Sequence, residues 1–463
     1  MCAAGCAPEG ACYKPVMSGQ TAAQVSITQR FAERLASPVV PATRARAALA
    51  ALDWAACALA GAPSQAGVVL LRLAAAAGTG KCQLIGGGMA SALGAALGNG
   101  ALGNVLEMDD VDKRAVLHPG PVVVPAALAA AQDAGAGADA FLDAIARGYE
   151  AVIRIGRAVG PGHYRYWHNT GTCGPFGAAA AAGSLFGLSP DQTAWALGLA
   201  GTQASGLWQT RHEPASLAKQ LHTARAAQAG VLSAQLAREG FAGPLFILEG
   251  PQGFFAATCP DGDPNAVLAG DGWAIHDVSV KPWPACRHAH AAIDAALLLR
   301  SNCPLSAIAA IMVTTYPAAV DFCDKPDPHS VIEAKFSLQH AVAVTLADGP
   351  PPLSAFEPGA IARADLARLR ALIKVKAGEP YASAYPARFG AEVRVRLSDG
   401  SEHVGTAPDA WGDPENPVSE ADVIAKARDL IAWGGRSDAQ RVIDAALGLA
   451  HGGSLAAFAG ALA

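Results

Sequence analysis

The sequence contains few charged residues and no excess of positive charge. Only 16% of its 463 residues are charged, whereas 52% are hydrophobic, and the formal net charge is −5. So many hydrophobic residues supply a large core, which excludes a mainly disordered chain, and this length suits two or three domains. The mixed, slightly negative charge gives no basic field for nucleic acid or for an anionic membrane. We therefore expect neither of these partners.

Long hydrophobic runs are also missing. The most apolar stretch, residues 174–187, is rich in alanine and shorter than the roughly 20 apolar residues that a membrane-spanning helix needs. The first residues lack the hydrophobic centre of a signal peptide. These features predict no membrane span, a cytoplasmic location and a disordered leader over residues 1–24.

Cysteine is not concentrated in any disulfide-like framework. The ten cysteines are scattered along the chain, a pattern typical of reduced thiols in a reducing compartment. Cys2, Cys6 and Cys12 fall close together, but their spacing matches no usual metal motif. A frayed leader is the favoured interpretation of this segment, and a metal or cluster site is the alternative.

Motifs for common cofactors and nucleophiles are absent. No G-x-G-x-x-G opens a helix after a strand, and there is no P-loop, G-x-S-x-G elbow or H-E-x-x-H pattern. His288 and His290 alone do not make a metal site. We predict no metal and no cofactor, with a metal-dependent hydrolase as an alternative.

Helical patterning dominates the first half of the chain. Apolar residues recur with helical period from about residue 26 to residue 240, including long runs over 42–59 and 140–159. Ser189 to Gln192 forms a capping box with proline at the first helical position, and the helix over 218–238 is closed by Gly240. These signals predict an all-helical domain over residues 25–273.

The pattern changes after about Trp273. Helices are expected at 291–300 and 334–346, and Ser419 caps a final helical segment. Asp399-Gly400 predicts a hairpin. Five segments predict strands: 274–280, 307–315, 372–376, 392–397 and 402–405. The predicted fold class is mostly α, a large all-helical domain with an inserted smaller α+β lid domain over 274–408 and a helical return over 409–463 that completes the first domain.

Four carboxylates crowd the end of an apolar helix. Glu107, Asp109, Asp110 and Asp112 lie shortly before His118. They repel one another, and the negative end of the helix dipole adds to the cost. This placement favours the lip of a pocket, in which one carboxylate orients His118 for proton transfer. A solvated loop is the alternative.

Two further groups combine histidine with a carboxylate-binding feature. His168 and Thr170 lie in a glycine-bearing turn before an apolar helix, where backbone N–H groups can bind a carboxylate; a histidine with a structural role beside a helix cap is the alternative. Lys219 and His222 lie three residues apart on one helix face. A buried lysine there needs an anion, whereas a polar surface stripe explains the pair equally well.

The densest cationic group follows a proline-aromatic turn. Residues 281–290 contain Arg287, His288 and His290, and an arginine can fork onto a carboxylate. Each group alone is a weak signal. Together they place histidines and lysines against a carboxylate cluster without any cofactor motif, which predicts acid–base chemistry on a small anionic substrate.

These motifs resemble the MmgE/PrpD family from about Val25 to the last helices. They are MDD…HPG at 108–120, GHYRYWHNTGTCGPFGAAAAA from 162, KQLH from 219, KPWPACRHAH from 281 and EAKFSLQHAVA from 333. The family includes 2-methylcitrate dehydratase, cis-aconitate decarboxylase and iminodisuccinate epimerase. The resemblance implies a helical domain with an inserted α+β lid, a homodimer, and no metal, iron–sulfur cluster or nucleotide. It points to His118, His168, Lys219 and His290 as active-site positions.

The sequence departs from the family pattern at several positions. Glu107 stands where many members carry aspartate, Met108 replaces an aromatic residue, and Asn169 replaces a usual proline. Phe322 lies near the tyrosine site of cis-aconitate decarboxylase and lacks its hydroxyl, which weakens the decarboxylase interpretation. Gly-His-Tyr at 162–164 is more like the epimerase.

We therefore predict a lyase that dehydrates a 2-methylcitrate-like hydroxy polycarboxylate by taking a proton beside a carboxylate. The alternatives are an epimerase of an iminodisuccinate-like dicarboxylate, a decarboxylase of a cis-aconitate-like acid, and a non-catalytic carboxylate-binding protein. His118 and His168 are expected to exchange the proton, while a neighbouring carboxylate sets the tautomer. The predicted catalytic residues are Glu107, Asp109, His118, His168 and Lys219, and the predicted substrate-binding residues are Thr170, His222, Arg287 and His290.

Overall fold

The computed structural model describes residues 25–213 and 215–463. The predicted leader over residues 1–24, with Cys2, Cys6 and Cys12, lies outside this range. The cysteines within it are free and buried, and they are Cys57, Cys82, Cys173, Cys259, Cys286, Cys303 and Cys323.

Helices form most of the regular structure up to residue 280. They are α1 (Ile27–Leu35), α2 (Pro41–Gly61), α3 (Gln65–Ala76), α4 (Ala92–Gly100), α5 (Gly120–Ala134), α6 (Ala138–Ala158), α7 (Gly160–Tyr164), α8 (Asn169–Leu185), α9 (Pro190–Gly201), α10 (Ala218–Arg238) and α11 (Phe254–Thr258). Two short strands, β1 (Cys82–Gln83) and β2 (Met89–Ala90), pair between α3 and α4. The capping box at Ser189 begins α9 as predicted.

The alanine-rich helix α8 lies at the centre of this part, between α6 and α10. Its buried face is made of small residues, and Gly230 of α10 approaches it closely. A Cβ at Gly230 would lie 2.3 Å from the Cβ of Ala178, so no larger residue fits between the two helices. This contact fixes α10, which carries Lys219 and His222, against α8, which follows His168.

The segment from residue 290 to residue 407 mixes helices with a four-stranded sheet. Its elements are α12 (His290–Leu297), β3 (Ile308–Thr315), α13 (Pro317–Cys323), α14 (Val331–Lys335), α15 (Leu338–Asp348), α16 (Pro358–Ile361), α17 (Ala364–Leu372), β4 (Ile373–Ala377), α18 (Tyr381–Ala384), β5 (Ala391–Leu397) and β6 (Glu402–Ala407). The strand order is β4-β3-β5-β6, with β3 and β4 parallel and the other pairs antiparallel. Gly400, at a φ of 87°, turns the predicted hairpin.

The chain then returns to the first group of helices. The last helices are α19 (Glu420–Trp433), α20 (Ala439–Gly448) and α21 (Leu455–Ala461), and Ser419 caps α19 as predicted. Helix α19 packs against α2. One hydrophobic core joins buried residues between 27 and 280 with residues between 423 and 462, and a second contains residues between 283 and 410. The prediction of a mostly α fold is confirmed, whereas the inserted lid and its boundaries stay a prediction.

The predicted strand over residues 274–280 is wrong. Residues Ala274–Asp277 form a 3₁₀ helix, and only Ser279 makes a bridge, to Val111. Side chains form hydrogen bonds with the backbone groups that would otherwise pair with a neighbouring strand. The N–H of Ala274 donates to Glu150 at 2.7 Å, and Arg46 donates to the carbonyl of Val278 at 2.9 Å. The alternating pattern of this segment therefore reflects burial in a loop.

In the described part of the chain, no single helix has the length and apolar character to cross a membrane. Helices α2 and α3 meet the criterion only when taken together, and they are bent by 99° at their junction.

Candidate active site

A cavity of about 300 Å³ lies where the two hydrophobic cores meet. It is enclosed by residues from both sides of the junction. The first part of the chain contributes Glu107, His118, Tyr164, His168, Trp208 and Lys219 among others. The later part contributes Lys281, Cys286, Arg287, His288, Phe322 and Phe389 among others.

The carboxylate-rich segment after α4 is buried, so the alternative of a solvated loop is wrong. Each carboxylate is paired with a polar or cationic group of the protein. Asp110 accepts hydrogen bonds from the hydroxyl of Tyr149 at 2.6 Å and from the N–H of Gly120 at 2.9 Å, and Asp112 forms an ion pair with Arg157. Burial and the nearby charge of Asp53 raise the pKa of Asp110 to about 7. The segment is therefore a rigid wall of the cavity.

Glu107 joins two lysines in this wall. Its carboxylate forms an ion pair with Lys219, and its second oxygen lies 3.4 Å from Nζ of Lys281. Burial acts to raise the pKa of Glu107, but the two lysines more than offset it, and the pKa falls to about 2. Glu107 is consequently an anion shared between two cations.

Three lysines hold three consecutive carbonyl groups around Glu107. Lys335 donates to the carbonyl of Leu106 at 2.7 Å, Lys281 to that of Glu107 at 3.2 Å, and Lys426 to that of Met108 at 2.5 Å. Glu107 itself has a φ of 56°, a left-handed conformation that costs a side-chain-bearing residue energy. The lysines thus fix a strained turn that aims the Glu107 carboxylate at Lys219.

Asp109 orients His118. Nδ1 of His118 lies 2.9 Å from the Asp109 carboxylate and 3.0 Å from the carbonyl oxygen of Asp110. Both partners only accept hydrogen bonds, so Nδ1 carries the proton and Nε2 is left to exchange a proton with a substrate. The backbone N–H of His118 donates to Thr170 at 3.0 Å, which fixes the residue against the start of α8.

His168 and His222 form a second imidazole group. Their Nδ1 atoms lie 3.1 Å apart, and the ring of His168 packs on Trp208 with centroids 4.4 Å apart. Burial and the charge of Lys219 lower the pKa of His168 well below its usual range and that of His222 to about 4. His168 is therefore neutral at pH 7 and can accept a proton.

Arg287 is a buried cation with free donors at the cavity. It forms an ion pair with Asp413, which also lies 3.5 Å from Lys113. Nε and Nη1 of Arg287 find no hydrogen-bond partner in the described protein, although the side chain is only 7% exposed. Buried guanidinium donors without partners are costly, so this side of the cavity suits an anionic ligand.

The structure brings most of the predicted site residues together. Glu107, His118, His168, Lys219 and Arg287 line the cavity. Asp109, Thr170 and His222 lie one layer behind and contact His118 or His168. His290 is placed elsewhere: it is fully buried, its Nε2 lies 3.1 Å from the carbonyl oxygen of Ala285, and it does not line the cavity. Direct contact between His290 and a substrate is not supported by this position.

Several lining residues were not predicted. Lys281 opens the 281–290 motif, and its approach to Glu107 depends on a contact across 174 residues of sequence. Tyr164 stacks on Phe322 with ring centroids 5.9 Å apart. The phenol of Tyr164 therefore lies beside Phe322, which itself has no hydroxyl. The Gly-His-Tyr motif at 162–164 was the available signal for Tyr164.

Possible metal ligands are dispersed. Across residues 25–213 and 215–463, no three or more His, Cys, Asp or Glu side chains are arranged to hold a metal ion.

The free energy of unfolding is expected to fall between pH 6.5 and pH 4.5, because buried histidines take up protons when the chain unfolds. Burial lowers the pKa of six buried or half-buried histidines, and they are His163, His168, His222, His288, His290 and His340. In the unfolded chain a histidine binds a proton below about pH 6.5, so each depressed pKa removes up to about 1.4 kcal/mol of stability per pH unit below that value. Asp53, Asp110 and Asp294, whose pKa values are raised, act in the opposite direction but are outnumbered. Urea unfolding should therefore show stability falling from pH 6.5 to 4.5.

A single-histidine variant tests the cause. Because the pKa of His222 is about 4 in the folded protein, His222→Gln should make this decline shallower. A free energy of unfolding that stays level or rises from pH 6.5 to 4.5 would contradict the prediction.

Two family models match the chain. The MmgE/PrpD N-terminal domain matches residues 27–266 and the MmgE/PrpD C-terminal domain matches residues 283–450. The second match begins just beyond Lys281, and the cavity is lined by residues from both matched regions.

Curated relatives agree with these matches. Cis-aconitate decarboxylase of Aspergillus terreus is 29% identical over 393 residues, which cover 78% of this chain and 79% of the relative. Cis-aconitate decarboxylase-like protein oryM of Aspergillus oryzae is 34% identical over 229 residues, 45% of this chain and 47% of the relative. Human cis-aconitate decarboxylase is 27% identical over 283 residues, 58% of this chain and 57% of the relative. The chain belongs to the MmgE/PrpD family.

Proposed function

We propose that the protein is a lyase that acts without a cofactor on a small polycarboxylate, at a carbon atom beside a carboxylate. The observation that carries the proposal is the unequal pairing of buried cations around the cavity. Lys219 and Lys281 share one carboxylate, that of Glu107, and Arg287 keeps unpaired donors. Buried positive charge of this kind is stabilised by an anionic ligand.

The same cations support the reaction itself. Breaking a C–H or C–C bond beside a carboxylate puts negative charge on the carbon and on the carboxylate oxygens. Fixed positive groups in a site that excludes water stabilise this charge, usually the largest single contribution to catalysis. Lys219 and Lys281 are held in place by Glu107 before the substrate arrives, so little reorganisation accompanies the reaction.

Two imidazole groups supply the proton transfers. His118, oriented through Asp109, exchanges a proton through Nε2. Burial lowers the pKa of His168, so the ring is unprotonated at pH 7, which is the form that a base needs, and we assign it as the base. In a dehydration, a base removes the proton from carbon and an acid protonates the departing hydroxide. In a decarboxylation, carbon dioxide leaves and one acid protonates the resulting carbanion.

Decarboxylation of a cis-aconitate-like tricarboxylate is the reaction that we place first. The names of three relatives support it, and Tyr164 supplies a phenol beside Phe322. The second candidate is dehydration of a 2-methylcitrate-like hydroxy acid, which is favoured by the two separate imidazole groups. Epimerisation of an iminodisuccinate-like acid would use the same two groups without a leaving group.

Proton NMR in D₂O tests the proposal and separates these reactions. The purified protein is incubated with cis-aconitate, citrate, 2-methylcitrate and iminodisuccinate. Loss of carbon dioxide with deuterium entering the product indicates a decarboxylase, new alkene signals from a hydroxy acid indicate a dehydratase, and exchange with inversion indicates an epimerase.

Two lysine variants control the experiment. Lys219→Ala should abolish the reaction, whereas Lys374→Ala, which changes an exposed lysine of β4, should not. No reaction with any of the acids, in a protein whose folding is verified by circular dichroism, would overturn the proposed substrate class. A non-catalytic carboxylate-binding protein would then be the better interpretation.

A further inference from the structure

Of the lysines and arginines that line the cavity, Arg211 and Lys325 form no ion pair with a carboxylate of the described residues. Lys113, Lys219, Lys281 and Arg287 each form an ion pair with a carboxylate of the protein. No carboxylate oxygen in the described residues lies within 4.0 Å of the Arg211 guanidinium, although Glu213 and Asp321 line the same cavity. Its charge is therefore available to a ligand.

Aromatic rings hold this guanidinium in place. The Cζ atom of Arg211 lies 3.9 Å from the ring centroid of Phe322 and 5.6 Å from that of Trp208. Such cation–π contacts orient the planar group and reduce the freedom that it loses on binding. Because the guanidinium covers the face of Phe322, this side of the cavity presents a cation rather than a bare aromatic surface.

Arg211 lies close to His168, one of the two proton-transfer groups. Trp208 contacts both Arg211 and the ring of His168, so one indole separates Arg211 from His168. Glu107 with its lysines and Arg287 lie on the inner walls, and Arg211 is exposed nearer the solvent. A substrate whose first carboxylates bind the inner cations would direct a remaining carboxylate toward Arg211.

We propose that Arg211 binds the distal carboxylate of the substrate and makes the site selective for tricarboxylates over dicarboxylates. This inference rests on the proposed function, because it assumes that the cavity binds a polycarboxylate. The guanidinium fork matches the two oxygens of a carboxylate, and a hydrogen bond between charged groups at an exposed position should contribute about a tenfold gain in affinity. Phe322 and Trp208 would orient Arg211 for this contact.

Calorimetric titration with unreactive acids tests the inference. Propane-1,2,3-tricarboxylate has neither a hydroxyl group nor a double bond, and 2-methylsuccinate is the same skeleton without one terminal carboxylate. Arg211→Gln should weaken binding of the tricarboxylate about tenfold and leave binding of the dicarboxylate unchanged. Arg211→Lys should recover only part of the loss, since lysine keeps the charge but not the fork.

Arg165→Gln is the matched control. Arg165 makes the same kind of contact, with Cζ 5.2 Å from the ring centroid of Tyr166, but it does not line the cavity. Equal losses for both acids in Arg211→Gln, or no loss for either, would overturn the role of Arg211 while the proposed function stands. If the wild-type protein binds neither acid, the proposed polycarboxylate site fails and this inference fails with it.

Discussion

Replacing His118 by asparagine is expected to lower kcat by about 10²–10⁴-fold. Removing a positioned general acid or base usually costs this much, and asparagine cannot exchange a proton. The Nδ1 of His118 is occupied by Asp109 and by the carbonyl of Asp110, so Nε2 performs the transfer. The measurement is the initial rate with the acid that the NMR experiment identifies.

An exposed histidine that does not line the cavity gives the control for this variant. The side chain of His329 is 79% exposed, so His329→Asn should leave kcat unchanged. Thermal unfolding should show that His118→Asn is folded, because its side chain is only partly buried and its backbone N–H to Thr170 is kept. A kcat within threefold of the wild-type value would remove His118 from the mechanism.

The position of Asp109 explains why replacing His118 should lower kcat rather than weaken substrate binding. Burial acts to raise the pKa of Asp109, but the charge of His118 and its hydrogen bond lower it below the usual range, so the residue stays ionised. An ionised Asp109 accepts from Nδ1–H and fixes the tautomer, yet it does not line the cavity. The two residues thus act as one unit in proton transfer, while the lysines and Arg287 hold the substrate.

Much of the fold could be predicted from sequence because its signals are local. The capping boxes at Ser189 and Ser419 depend on residues three positions apart, and the Asp399-Gly400 turn needs only its neighbours. The segment over 274–280 shows the limit of such signals. Its alternation reflects burial, but Arg46 and Glu150, more than 120 residues away, supply the partners that a strand would otherwise need.

The residues of the site likewise fall into those that local sequence signals identify and those that depend on distant contacts. The pairs of His118 with Asp109 and of His168 with its turn lie within short motifs, so their residues could be named from the sequence. The carboxylate cluster could not be recognised as buried, since its partners come from far along the chain: Lys219, Lys281 and Lys426 reach residues 107–108 across 112, 174 and 318 positions. Arg211 carries no motif, and only its packing on Phe322 reveals it.

Replacing Lys426 by methionine is expected to destabilise the protein by about 3–5 kcal/mol at neutral pH. The side chain of Lys426 in α19 is only 8% exposed and donates to Asp53 of α2 at 2.5 Å. Removing one member of a buried ion pair leaves the other charge uncompensated, which is the source of this large cost. Burial already raises the pKa of Asp53, and without the lysine it should rise further. The loss should therefore shrink as pH falls and Asp53 takes up a proton, which urea unfolding at several pH values can follow.

The double variant Asp53→Asn/Lys426→Met separates the two contacts of this lysine. Without the charge at position 53 most of the stability should return, whereas the exposed Lys374→Met should change it by less than about 0.5 kcal/mol. An equally unstable double variant would show that the ion pair is not the cause.

The carbonyl of Met108, however, still lacks its donor in the double variant. Because that carbonyl belongs to the strained turn that presents Glu107, a stable double variant with reduced kcat would show that Lys426 positions the turn. Recovery of both stability and kcat would mean that Lys426 only neutralises Asp53, and that Lys281 and Lys335 suffice to hold Glu107 in place.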